Sequence, residues 1–220
     1  MIERVNILFH GIGEPGPHVE ADAYQYFIPR DLFVKILDEV AGNEHVRISF
    51  DDGFTSDVDI ALPELESRGL TATFFPLAGR FGDKGRVSVA GVRELVAAGM
   101  RIGSHGMDHV DWRYVDPATR NDEMDRARDM IGQASERSVA EAAIPFGWYD
   151  RSVLAALRGY GYRTVYTSDR RRAVPGRWLQ PRYSIVAQDT IESVRAKVLA
   201  QPSALRRTRD AAAVLYKRLR

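Results

Sequence analysis

From residue 5 to residue 198 the chain alternates short, apolar, β-favouring runs with stretches whose apolar residues recur three and four apart. This alternation constrains the fold more than any other feature. Val5 to Phe9, Val46 to Phe50, Thr71 to Phe75, Met100 to Gly103, Val139 to Ile144 and Thr164 to Thr167 read as strands. A further strand-like segment flanks Pro181-Arg182, from Trp178-Leu179 to Tyr183-Val186. Between the strands, a helix after Pro29 carries Leu32, Phe33, Ile36, Leu37 and Val40 on one face. Ser56 to Arg68 reads as another, with Pro63 marking its regular start or a kink. Further helices are expected over Ala90 to Ala98, over Pro117 to Ala134, from an Asp150 N-cap to Gly159, and from Thr190 through Val194 and Val198. The Pro117 segment shows little apolar face, so it is expected to lie largely in solvent.

Strand–helix repetition favours a parallel sheet with helical crossovers. The fold class is therefore α/β, one domain whose sheet is closed or nearly closed. A chain of 220 residues, 45% hydrophobic, suits this, because single α/β barrels run to about 200–250 residues. The formal net charge of +1 supplies no field for nucleic acid. There is no cysteine, which excludes disulfides and thiolate metal sites. The N-terminus lacks the basic start and long apolar core of a signal peptide, and no window is long enough to span a bilayer. A cytoplasmic location is the expectation. Residues 201–220 are set apart as a basic helical tail: Arg206, Arg207, Arg209, Lys217, Arg218 and Arg220 face a single acid, Asp210. Such a run is either a solvated helix or a docking helix for an anionic membrane surface or a partner.

The chemistry is concentrated at strand ends. Val46 to Phe50 closes on Asp51-Asp52-Gly53, and adjacent carboxylates repel unless a positive group separates their roles. A metal ion would do so, with one acid as ligand and the other free as a base. His105 and His109, in Ser104-His105-Gly106-Met107-Asp108-His109, have metal-ligand spacing. Asp-Gly alone is equally a turn pair; the histidines at another strand end change that reading.

Ser49-Phe50-Asp51-Asp52-Gly53 resembles the first motif of the polysaccharide deacetylases, the NodB-homology family of carbohydrate esterases. Ser104 to His109 is similar to their second motif, and Ile144-Pro145-Phe146-Gly147 to their third. The resemblance covers roughly Val5 to Ile185. It implies a single distorted (β/α) barrel of about seven parallel strands over residues 1–200. It also implies a divalent metal on Asp52, His105 and His109, zinc first and Co2+, Ni2+ or Mn2+ as alternatives, with Asp51 as general base. Three protein ligands leave room for water and a substrate carbonyl, and a backbone N–H near Pro145-Phe146-Gly147 would serve the oxyanion.

Two positions depart from the family pattern. Ala143 stands where an arginine usually orients the base, and no histidine follows His109 to supply the usual acid. His10, ending the first strand, resembles the N-terminal histidine of the exopolysaccharide branch. It is the expected acid, or a binder of the substrate carbonyl or product acetate. Arg182 is the expected orienting charge, and Asp169 resembles a fourth-motif acid that would pair with it. Trp112 and Tyr114 either stack on a sugar or pack in the core, as do Trp148 and Tyr149. Tyr24, Tyr26 and Phe27 form a lid or simple loop packing. The expected activity is removal of an acetyl group from an N-acetylated saccharide, a surface or exopolysaccharide or its cytoplasmic precursor. The alternatives are a catalytically silent carbohydrate-binding relative and an amidase acting on a non-sugar bond.

Overall fold

Parallel strands cannot be joined by tight hairpins; each needs a crossover that returns the chain to the same end. The computed structural model, which describes residues 3–201, shows these crossovers along most of its length. The elements run β1 (Val5–Phe9), β2 (Gly11–Ile12), β3 (Phe27–Ile28), α1 (Arg30–Val40), β4 (Val46–Asp52), α2 (Leu62–Glu66), β5 (Ala72–Pro76), α3 (Val89–Ala97) and β6 (Arg101–Ile102). They continue α4 (Pro117–Asn121), α5 (Ala127–Ser135), β7 (Glu141–Ala143), α6 (Arg151–Gly159), β8 (Thr164–Thr167), β9 (Leu179–Pro181), β10 (Tyr183–Ser184) and α7 (Ile191–Val194). Wider π-type turns lead into α2, join α4 to α5 and extend α7.

Five strands form one parallel sheet in the order β10-β1-β4-β5-β6, and three form another in the order β7-β8-β9. Two seams connect them. At the first, Ser104, just past β6, donates its N–H to Glu141 and accepts from Ala143 of β7. At the second, one extended segment changes partners: β9 pairs with β8, and after Arg182 its continuation β10 pairs with β1. Seven extended segments thus complete a distorted ring: β1, β4, β5, β6, β7, β8 and β9–β10.

Strand alternation divides the wall into two faces. Ile7, Phe9, Ile48, Phe50, Ala72 and Phe74 join an apolar layer with Phe33, Ile36 and Leu37 of α1. Phe50 stacks on Phe74 at 4.6 Å, and Phe9 meets Phe33 edge-on at 5.1 Å. Each large side chain buried there contributes about 1.5–3 kcal/mol. The intervening residues Asn6, Ser49 and Asp51 turn inward, where they bond Gln180 and Arg182. The apolar layer therefore faces the helices and a polar interior leads to the acids.

Local chemistry sets the helix ends. Asp116, Asp150 and Thr190 cap their helices, and Thr190 forms a reciprocal capping box with Ser193. Pro63 occupies the first turn of α2, where its missing N–H costs nothing. The solvent expectation for the 117–135 segment is overturned. Met124, Ala127, Ile131 and Ala134 are buried, and Glu123 with them. These residues form a stripe one side chain wide, so the charges on either side mask it. The basic tail expected over 201–220, with its membrane-docking reading at 205–220, lies outside the described residues apart from Gln201. Among the described residues no helix is long and apolar enough to cross a membrane.

Candidate metal and active site

The site begins where β4 ends. By strand alternation Asp51 shares the inward face of Ser49, whereas Asp52 would follow Phe50 outward. The backbone corrects this: Asp52 takes a left-handed conformation (φ 73°), followed by Gly53 at φ 65°. Only glycine fits at 53, because a Cβ there would lie 2.9 Å from Cβ of Pro76. The turn brings Oδ1 of Asp52 to 3.4 Å from Nε2 of His105 and 3.5 Å from Nε2 of His109. Oδ2 of Asp51 lies 3.7 Å from the same His105 nitrogen.

Asp52, His105 and His109 offer one donor atom each, all within 4.8 Å of one another. The residues fit a divalent cation on three further grounds. Oδ1 of Asp52 is buried without a hydrogen-bond partner. Nδ1 of His105 sits 2.9 Å from the Ala143 carbonyl, which can only accept, so the proton is on Nδ1 and the Nε2 lone pair faces Asp52. Burial lowers the His109 pKa to about 4, with Asp52 opposing, so this ring is neutral at neutral pH.

Asp51 is held differently. Arg182 grips it bidentately, at 2.7 Å to each carboxylate oxygen, and Nη1 also reaches Ser49 at 3.3 Å. Both side chains are fully enclosed, at 0% exposure for Arg182 and 3% for Asp51. Burial pushes the Asp51 carboxyl up, but the charge of Arg182 and its hydrogen bonds outweigh it and hold the pKa at about 2. The guanidinium lies over the paired rings of Phe75 and Tyr166, 5.4 and 5.6 Å from their centres. Its backbone N–H donates to Thr167. Asp169 accepts from Tyr149 and Thr167, beside the turn that receives Arg182.

His10 is near the same cluster, where its ring feels the charges of Asp52, Asp51 and Arg182. It packs on Tyr26 at 4.6 Å, and its Nδ1 is buried without a partner. Burial lowers its pKa, with Asp52 and then Asp51 opposing. Phe146 also has a left-handed backbone (φ 59°), and its ring lies 4.3 Å from His109. Trp148 stacks on Phe146 at 4.7 Å, and both are partly exposed, which makes an aromatic wall beside the candidate metal ligands. Pro145 and Gly147 are buried beneath it. Tyr26 covers His10 while Phe27 packs inside against Phe54, so only part of the aromatic loop faces the site.

Of the two readings of Trp112, sugar stacking fails and core packing holds. Trp112 is 1% exposed and has no face for a sugar. Its Nε1 donates instead to Glu123, which the sequence reading missed. The Glu123 carboxylate also accepts from the backbone N–H of Met107 and Asp108, so three donors meet one buried acid. A Cβ at Gly106 would lie 2.3 Å from that carboxylate, so the glycine makes room for it. Glu123 thereby holds the loop that carries His105 and His109, the latter at φ 59°. Asp57 is a second unforeseen group. It is buried, and burial, then the charges of Asp52 and Asp51, pushes its carboxyl well above the usual range.

The family model for polysaccharide deacetylases matches residues 38–165. A curated relative from Bacillus subtilis (strain 168), YxkH, is 26% identical over 149 residues, 67% of this chain and 53% of that protein; the chain thus spans about half of its length. Among solved structures, the Streptococcus pyogenes deacetylase PplD in complex with acetate superposes with a TM-score of 0.76 at 20% identity, over 91% of this chain and 99% of its own. IcaB from Ammonifex degensii gives 0.70 at 24%, over 90% and 97%. These likenesses establish the distorted (β/α) barrel. The matched segment exceeds half of the chain and contains both acids and both histidines, so the chain belongs to the polysaccharide deacetylase family.

Proposed function

We propose that this protein is a divalent-metal-dependent hydrolase that removes the acetyl group from an N-acetylated saccharide. The observation that carries this reading is the pairing of an intact three-donor cluster with a separately clamped carboxylate. Asp52, His105 and His109 would hold the cation, zinc first, which when bound supplies Lewis acidity toward a carbonyl and makes water more acidic. Asp51 stays ionised through its bond to Arg182 and takes the proton of the attacking water as general base. Arg182 acts through Asp51: the fork fixes the carboxylate plane and keeps it charged.

In the third motif the N–H groups of Gly147 and Trp148 are committed to Ile144 and Pro145, and Pro145 has none. The N–H of Phe146 is therefore the donor for the developing oxyanion. His10 is the proposed proton donor to the leaving amine. The Phe146–Trp148 wall offers apolar ring faces to the sugar. The silent-relative alternative is disfavoured because base, clamp and all three donors are present together.

Metal analysis coupled to acetate release tests the reading. Wild type should bind one cation and release acetate from N-acetylhexosamine oligomers or lipid-linked N-acetylated sugars. Asp51→Asn should keep the cation and lose turnover, and His105→Ala should lose the cation. Full occupancy with no acetate from any of these substrates would refute it.

A further inference from the structure

The crossover between β8 and β9, residues 168–178, contains no helix, unlike those that follow β4, β5 and β7. A groove of about 540 Å³ opens between it and α6. Four arginines line this groove: Arg158, Arg171, Arg172 and Arg177. Among the described residues, no acidic side chain lines it. Arg158 stacks over Trp178 at 4.1 Å, and Trp178 is itself anchored through Nε1 to the Tyr162 carbonyl at 2.8 Å. Arg172 donates to the Leu199 and Ala200 carbonyls, which ties the crossover to the end of the α7 region. The Nε atoms of Arg171 and Arg172 are nonetheless buried without hydrogen-bond partners. A buried donor left unpaired is costly, and four guanidinium groups around one groove repel one another.

We infer that this groove binds a phosphate- or diphosphate-bearing ligand. Several guanidinium groups need a partner with more charge and more acceptor oxygens than one carboxylate carries. Phosphate supplies both and matches the planar fork of arginine. Two of the four donors are held in place, Arg158 over Trp178 and Arg172 on the Leu199 and Ala200 carbonyls, so those two lose little side-chain freedom on binding. Apolar Leu154, Val174 and Leu179 line the same groove, which suits an organic or lipid group attached to the phosphate. This site is separate from the Asp51 centre, and its ligand does not depend on the catalytic reading.

Titration calorimetry of the full-length protein with inorganic phosphate and inorganic diphosphate is the direct test. Cosedimentation with phosphatidylcholine vesicles, with and without phosphatidylglycerol, forms a second arm. The variants are Arg171→Gln and Arg177→Gln, alone and together, with Arg171→Lys to separate charge from fork geometry. These side chains make none of the anchoring bonds described, so melting temperatures without ligand should match wild type. Diphosphate should bind more tightly than phosphate, each Gln variant should weaken it about tenfold, and added salt should weaken it further. Diphosphate binding without vesicle binding supports a soluble phosphate compound, and binding to phosphatidylglycerol vesicles that falls in the same variants supports a lipid headgroup. The inference is overturned if neither probe binds, or if binding is unchanged in the Arg171→Gln, Arg177→Gln double variant.

Discussion

Replacing Arg182 with methionine would leave Asp51 buried without the guanidinium that holds both of its oxygens at 2.7 Å. Methionine roughly fills the aliphatic volume but carries no charge, so the variant isolates the pair. Breaking a buried ion pair from one side costs about 3–5 kcal/mol, because the remaining charge is uncompensated. That is a large share of the roughly 5–15 kcal/mol that stabilises a typical domain. The cost should depend on pH in a defined direction. In wild type the Asp51 carboxyl is held at about 2, below the 3.8 of a free aspartate. Its contribution is therefore complete above about pH 4 and is lost as pH falls toward 2; the shift corresponds to roughly 2 kcal/mol. In Arg182→Met, burial acts unopposed and the carboxyl rises, so the variant's deficit is largest at neutral pH and shrinks as the acid protonates. Urea unfolding of metal-free protein across this pH range measures both effects. Asp51→Asn should recover most of the loss in the Arg182→Met background. A deficit below about 1 kcal/mol that is flat with pH, with no recovery in the double variant, would refute the assignment of Arg182 as the clamp of the base.

Two further outcomes follow from the site. Glu123→Ala should weaken cation affinity by about 10–100-fold through the His105–His109 loop, and Glu123→Gln should lose less because it keeps acceptor oxygen; competition with a chelator reads this directly. His10→Ala should lower kcat of deacetylation by about 100-fold or more, while a raised KM at nearly unchanged kcat would reassign His10 to substrate binding.

The strands and most helix limits were legible because hydrophobic period and capping chemistry are local properties. The Asp51-Asp52-Gly53 turn and the histidine spacing were legible for the same reason. Trp112 and Glu123 were not. Trp112 stays open between sugar stacking and core packing until the helix over 117–135 is known to bury its narrow stripe. The stripe itself, Met124, Ala127, Ile131 and Ala134, recurs at helical spacing, but it is one side chain wide and the charges on either side mask it. The left-handed backbones of Asp52, His109 and Phe146 were also hidden, because none is glycine and only tertiary packing holds such residues there. Asp57 illustrates the same limit: its ionisation depends on what surrounds it after folding.

The change of partners at Arg182 ties two events that are usually separate. The residue at which the final strand leaves β8 for β1 also orients a carboxylate 131 positions earlier in the chain. Such distant pairings form against a large loop-closure cost, which tends to place them late in assembly. A chain whose β9–β10 segment has not docked has the acids and histidines of its first half but no charge to hold Asp51 ionised in its buried place. If Asp51 is the base, hydrolytic activity would therefore report completed folding: ring closure and the competence of that carboxylate would be one step, and a partly folded chain would be inert toward its substrate.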